Sequence, residues 1–231
     1  MTGSTWHTLF ESAGYLVGGQ VFWWLRRRQG DAVESRTRWL VIGASIFGAA
    51  VGARVLAGFE NPALPFTLEG KTIVGGLAGG LIGVELAKLT VREKRRTGDL
   101  FAVPLTLGIG IGRIGCFLMG LPDQTHGSPT SLPWGYNYGD GIPRHPAQLY
   151  EIAFCAVLAF ALARWQITMP GDRFKGFMCA YMGWRLCIDF LKPGVAIAVG
   201  LTAIQWVALA CLLYYSRDVM RWTFWKFKHN G

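Results

Sequence analysis

The residue that most needs an explanation is an arginine set among glycines and aliphatics. The stretch GIGIGRIGCFLMG, residues 108–120, has the composition of a membrane helix except for Arg113 at its centre. A guanidinium at bilayer depth costs roughly 2.5–3.5 kcal/mol on insertion scales, so an anion has to hold it there. Its own apolar run holds no carboxylate. Two partners are open: Glu85 from another apolar run, or a phosphate drawn from the lipid. A planar guanidinium offers two parallel hydrogen bonds to phosphate oxygens, and the backbone at Gly112 and Gly115 lets a bulky headgroup come near. Phosphate is the better match.

Further residues share this character. Arg54, Glu85 and the pair Arg185 and Asp189 also lie inside apolar runs, where ionisable groups face a protein interior or a wet cavity. The i, i+4 spacing of Arg185 and Asp189 puts both on one helical face, either as part of a site or as a self-neutralised lock. The segment RHPAQLYE, residues 144–151, opens another run. There Pro146 suits a first helical turn, Glu151 sits where the helix dipole favours an anion, and His145 stands just outside. With Gln148 and Tyr150, these side chains have the look of a site wall. Cys116 reads as a low-pKa nucleophile beside Arg113 or as a small residue at a tight helix contact, and the second reading is favoured.

The elements that must position these residues follow from hydropathy. In 231 residues, 52% of them hydrophobic, seven apolar runs approach the roughly 20 residues that span a bilayer: about 9–25, 39–58, 72–90, 100–120, 148–167, 175–191 and 195–215. The expected fold is an all-α integral membrane protein of about seven transmembrane helices, a single domain over residues 1–231. The net charge of +9 points to nucleic acid only until the cations are placed. Arg26, Arg27, Arg28, Arg36, Arg38, Arg92, Lys94, Arg95, Arg96, Arg164, Arg173, Lys175, Arg217, Arg221, Lys226 and Lys228 fall on alternate connections. Only Lys71, Arg144 and Lys192 lie on the opposite ones. The positive-inside rule then predicts an outside N-terminus and a cytoplasmic C-terminus. The first cation, Arg26, follows the first apolar run, so that run does not read as a cleaved signal peptide. The tail, with Trp222, Phe224, Trp225 and Phe227 among its cations, reads as an interfacial anchor rather than a nucleic-acid patch.

Gly75, Gly79 and Gly83 share one helical face, with Gly76 and Gly80 beside it, which predicts close approach of a neighbouring helix. The connection 121–147 is rich in Pro, Gly, Asp and Asn, cannot continue a helix, and is expected to form a structured loop on the outer, periplasmic side. Loops of this length favour a lid or substrate-access role over a slack linker. Gly110, Gly112 and Gly115 satisfy the dinucleotide spacing G-x-G-x-x-G, but no strand–helix–strand alternation surrounds them, which excludes that reading. The five cysteines all sit in apolar runs, which argues against a disulfide framework.

These residues together resemble the prolipoprotein diacylglyceryl transferases of bacterial inner membranes. The likeness rests on GRIGCFLMG (112–120), LPWG (132–135), RHPAQLYE (144–151) and YMGWRLCIDF (181–190), and reaches weakly to ESAGYLVG near the N-terminus. The resemblance implies transfer of diacylglycerol from phosphatidylglycerol to a lipobox cysteine thiol, with release of glycerol phosphate on the periplasmic side. It implies that Arg113 holds the lipid phosphate, that Arg185 with Tyr181 and Asp189 completes the pocket, and that Tyr15 and Gly127 match an early tyrosine and the glycine ending the signature. Two positions depart from the family pattern: Val74 stands where the third span carries histidine, and Cys116 where the signature carries asparagine. Thiol transfer needs a base, for which His126, His145 and Glu85 are the substitutes in this chain. The acceptor is then a lipoprotein cysteine or another group. A phospholipid-binding protein without turnover and a small transporter are the alternatives, although the polar clusters gather at the outer end rather than on both sides of the midplane. Neither a cofactor nor a metal centre is expected.

Overall fold

In a computed structural model, residues 3–31, 33–60, 70–166 and 169–229 are described, the last seven by backbone alone. Six of the seven apolar runs are helical over most of their described length, as a bilayer favours because intrasegment hydrogen bonding satisfies every N–H and C=O. The order is α1 (Gly3–Gln29), α2 (Ser35–Glu60), α3 (Ile73–Thr90), α4 (Asp99–Met119), α5 (Ala147–Arg164), α6 (Asp172–Ile188), α7 (Ala203–Tyr214) and α8 (Ser216–His229). Between α4 and α5 lies an antiparallel hairpin of β1 (Tyr136–Asn137) and β2 (Pro143–Arg144). Among the described residues, four helices, α2 to α5, are long and apolar enough to cross a membrane. Val157 at 69% and Phe160 at 68% exposure put large apolar groups on the outer face of α5, as lipid-facing positions require.

The last apolar run, 195–215, departs from expectation: only Ala203–Tyr214 is helical, 12 residues or about 18 Å of helix. Pro193 and Gly194 stop the chain after α6, and Val199 and Gly200 both adopt positive φ, so 194–202 cannot continue a helix. Thr202 then starts α7 with a capping box, its hydroxyl accepting from Gln205 N and the Gln205 side chain accepting from Thr202 N. The tail forms α8, but the side chains of Phe224, Trp225, Lys226, Phe227 and Lys228, assigned to an interfacial anchor, lie outside the described residues.

The chain divides into two compact units, one of Met1–Asp31, Arg96–Phe177 and Phe190–Pro193, the other of Ala32–Arg95, Met178–Asp189 and Gly194–Gly231. In the first, α1 and α4 meet through glycine: a Cβ on Gly14 would lie 2.7 Å from the carbonyl oxygen of Gly108. Asp99, in the first turn of α4, also accepts backbone N–H bonds from Gly171 and Phe174, which caps the start of α6. Pro104 is accommodated inside α4. In the second unit, α2 and α3 interlock along the predicted glycine face. Gly75 packs on Gly52, Gly79 on Gly48 and Gly52, and Gly83 on Ala44, all by backbone contact. Glu60, at the end of α2, accepts from Ile204 N at 2.8 Å and so ties α2 to the start of α7.

Candidate active site

In the first unit Arg113 is 5% exposed and Glu151 fully buried. Arg113 Nε lies 2.9 Å from Glu151 Oε2, and Lys192 Nζ reaches the same oxygen at 3.9 Å. The arginine on the α4 signature thus meets the carboxylate of RHPAQLYE. Glu85, the protein partner considered for it, instead meets Lys88 at 3.4 Å on its own helix, in the second unit. The i, i+3 geometry within α3 made that local pairing available, whereas the start of α5 reaches Arg113 only through the packing of α4 on α5. Arg113 Nη1 also donates to Cys116 Sγ at 3.7 Å, one turn further along α4.

The signature glycines separate into two roles. A Cβ on Gly115 would stand 3.0 Å from both His7 Cα and Phe10 Cβ, so this glycine brings α1 against α4. Gly112 faces open space within 4 Å and leaves room beside Arg113. Helix α4 ends at Gly120, whose φ of 73° favours a residue without Cβ.

Along RHPAQLYE, His145 Nδ1 lies 3.3 Å from Tyr150 Oη, and Trp134 of LPWG donates to that oxygen from Nε1 at 2.9 Å. Gln148 is 1% exposed and accepts at Oε1 from Tyr138 Oη at 2.8 Å. Its Nε2 is buried without a hydrogen-bond partner among the described residues, a donor that a ligand oxygen would satisfy. His126 Nδ1 is 3.0 Å from Gly127 O, and its ring packs 5.8 Å from that of Tyr138. Tyr15 is 73% exposed on α1 and donates to Glu11 at 3.1 Å.

The 121–147 segment is held as a built element. Gly127 N donates to His145 O at 2.8 Å, His145 N to Ser128 O at 3.1 Å, and both Ser128 N and Oγ to Leu191 O at 2.7 Å. A side chain at Gly127 would clash with His145, which accounts for glycine there. The hairpin turn is fastened by Asn137 Oδ1, which accepts from Gly139 N and Gly141 N. Hydrogen bonding to Arg144 holds the Asp140 carboxyl down at about 2. Burial pushes the Tyr138 phenol up to about 12, so it donates to Gln148 as a neutral hydroxyl at neutral pH.

In the second unit Tyr181 is fully buried, while Arg185 and Asp189 are 4% and 6% exposed. Arg185 Nη2 meets Asp189 Oδ1 at 2.8 Å and Oδ2 at 3.0 Å, and its Nε donates to Oδ2 at 3.3 Å, so the spacing produces the expected pair. Val74 on α3 is completely buried and supplies no proton acceptor.

Sequence reasoning missed His7, Asp123, Trp134, Tyr138 and Lys192 as neighbours of these groups. Trp134 lay inside a quoted motif, but nothing local to the others signalled a role. The nearest hint was Gly115, a residue whose missing side chain implies a close neighbour.

The family profile described as Prolipoprotein diacylglyceryl transferase matches residues 4–216. A phosphatidylglycerol–prolipoprotein diacylglyceryl transferase of Bordetella parapertussis is 33% identical over 226 residues, covering 86% of this chain and 85% of its own. Relatives of the same name from Nitratidesulfovibrio vulgaris and Chromohalobacter salexigens are 31% and 32% identical, covering 90% and 86% of this chain and 84% and 80% of theirs. With the glycine–arginine signature on α4 now facing the RHPAQLYE carboxylate, and with matches along nearly the whole chain, this protein belongs to the prolipoprotein diacylglyceryl transferase family.

Proposed function

We propose that this protein transfers the diacylglyceryl group of phosphatidylglycerol to the cysteine thiol of a lipoprotein precursor in the bacterial inner membrane. The observation that carries this reading is the buried Arg113, oriented by Glu151 on the family signature, with Lys192 converging on the same carboxylate. Two cations gathered around one carboxylate suit a phosphate, and the guanidinium fork binds it bidentately. The Gln148 Nε2, without a partner among the described residues, is the natural donor to a further lipid oxygen. His145, Tyr150 and His126 line the same unit and serve to orient the headgroup and acceptor. On the family resemblance, Tyr181 and Arg185, the latter held by Asp189, serve lipid binding from the second unit, and the exposed Tyr15 does so from the first. The reaction joins the acceptor sulfur to the terminal glycerol carbon of the diacylglyceryl group and expels glycerol phosphate.

Purified protein given phosphatidylglycerol labelled in its headgroup, with a lipobox peptide, is expected to release labelled glycerol phosphate and form one thioether per release. Lipid binding without either product would reduce the protein to a phospholipid binder.

The site is proposed to open on the periplasmic side, with seven helices crossing the membrane. The distribution of cations supports this orientation, with sixteen on alternate connections against Lys71, Arg144 and Lys192 on the others. A reporter fused after Lys228 is therefore expected in the cytoplasm, and one inserted near Ser128 outside. The reverse pattern would move the site to the other face of the membrane.

A further inference from the structure

Three side chains of different chemistry meet where the start of α1 packs on the end of α4 in the first unit. His7 on α1, Cys116 on α4 and Asp123 in the short turn after α4 place their nitrogen, sulfur and carboxylate atoms within 4.8 Å of one another. His7 Nε2 lies 3.3 Å from Asp123 Oδ1. That is close to the edge of a tetrahedron, about 3.4 Å for nitrogen and oxygen donors held about 2.0–2.2 Å from zinc.

Each donor is aimed by its surroundings. His7 Nδ1 lies 3.9 Å from Glu11 Oε2, longer than a hydrogen bond, and Nε2 is the ring nitrogen turned toward Asp123. The Thr125 hydroxyl donates to Asp123 Oδ2 and leaves Oδ1 toward His7. The Cys116 side chain is 3.7 Å from Arg113 Nη1, whose charge is met by Glu151. A thiolate and a carboxylate then supply two negative charges for a dication. The close approach that Gly115 permits is what brings His7 to Cys116.

We infer that His7, Cys116 and Asp123 bind a divalent metal of the zinc class, and that its fourth position takes the acceptor thiol. The thiol-activating step rests on the transferase reading above. Three protein ligands with one open position are the pattern of catalytic rather than structural zinc, and a thiol on such an ion is deprotonated outright. The acceptor thiol loses its proton to water on coordination. The metal-bound sulfur then attacks the terminal glycerol carbon, the C–S bond forms, and the C–O bond breaks with its electron pair leaving on glycerol phosphate. No redox change occurs, and the thioether, a weaker ligand, departs. This accounts for a sequence that carries valine at position 74, where the family pattern has a histidine base, and cysteine at position 116.

The test uses the full-length protein in detergent, stripped with a chelator and titrated with Co²⁺. The expected result is one Co²⁺ per chain with a thiolate-to-cobalt charge-transfer band that Zn²⁺ abolishes. The band disappears in Cys116→Asn, and affinity falls at least about 10-fold in His7→Gln and Asp123→Asn. Absence of a stoichiometric thiolate band in the parent, or its survival in Cys116→Asn, overturns the site. The stripped parent is expected to bind phosphatidylglycerol but to form thioether only when Zn²⁺ is returned. Equal transfer with and without metal overturns the thiol-activating role and leaves the transferase reading standing. A zinc-loaded protein that binds lipid yet makes neither thioether nor glycerol phosphate overturns that reading and the activating step together, with the metal site itself judged by the cobalt titration.

Discussion

Arg113→Ala is expected to lower diacylglyceryl transfer by on the order of 100- to 1,000-fold, the scale seen when a donor aimed at developing negative charge is removed. In the proposed reaction the leaving group gains charge on its phosphate, so a guanidinium bound to that phosphate would give more to the transition state than to bound lipid. Removing it also strands Glu151, which is fully buried and 2.9 Å away. Breaking a buried pair from one side costs about 3–5 kcal/mol, with Lys192 at 3.9 Å offsetting part of it. Thermal stability in detergent should therefore fall together with activity. The double variant Arg113→Ala with Glu151→Gln separates the two effects, because a neutral amide no longer needs a cation: stability recovers and turnover does not. Arg113→Lys keeps the charge but loses the fork, and is expected to hold most of the stability while its KM for phosphatidylglycerol rises. Turnover of Arg113→Ala at the parent rate would show that the arginine only packs against Glu151.

Gly79→Ala is expected to destabilise the second unit, and Gly76→Ala, one position off the same face, to leave it unchanged or slightly more stable. A Cβ on Gly79 would run into the carbonyl oxygen of Gly48 and stand 2.9 Å from Gly52 Cα, so α2 and α3 must separate. Overpacking of this kind costs about 1–3 kcal/mol, and Gly79→Val should exceed it. At Gly76 the nearest atoms to a new Cβ are 3.7 Å away on Ala49 and Ala53, an ordinary contact. Alanine there also removes the roughly 0.8–1.0 kcal/mol helix penalty of glycine. Equal melting temperatures for the two variants would mean that the α2–α3 contact does not depend on backbone approach.

These two predictions draw on information of different visibility. The glycine face was legible because helical periodicity alone places Gly75, Gly79 and Gly83 in line, and small residues in lipid have few uses beyond close packing. The Arg185–Asp189 pair was legible for the same reason, since four residues make one turn and the partner is local. The need of Arg113 for an anion was legible as well, because the cost of a charge in hydrocarbon is a property of the residue and its solvent.

The identity of the protein partner of Arg113 was not. Glu151 stands at the start of a different helix, and only the packing of α4 on α5 carries it to Arg113. His7, Cys116 and Asp123 come from two helices and a turn, and their meeting depends on a glycine contact that spacing does not announce. The short α7 had a local cause, the positive φ values at Val199 and Gly200, but hydropathy is blind to backbone conformation and marked the whole 195–215 run as one span. Composition and periodicity by themselves determined most of the helical segments outside 195–202, the α2–α3 face that packs closely and which charges need partners, because these follow from residue type and local spacing. Which distant groups became those partners was decided only by the tertiary structure, because that depends on how helix faces close against one another and is encoded in no single stretch of chain.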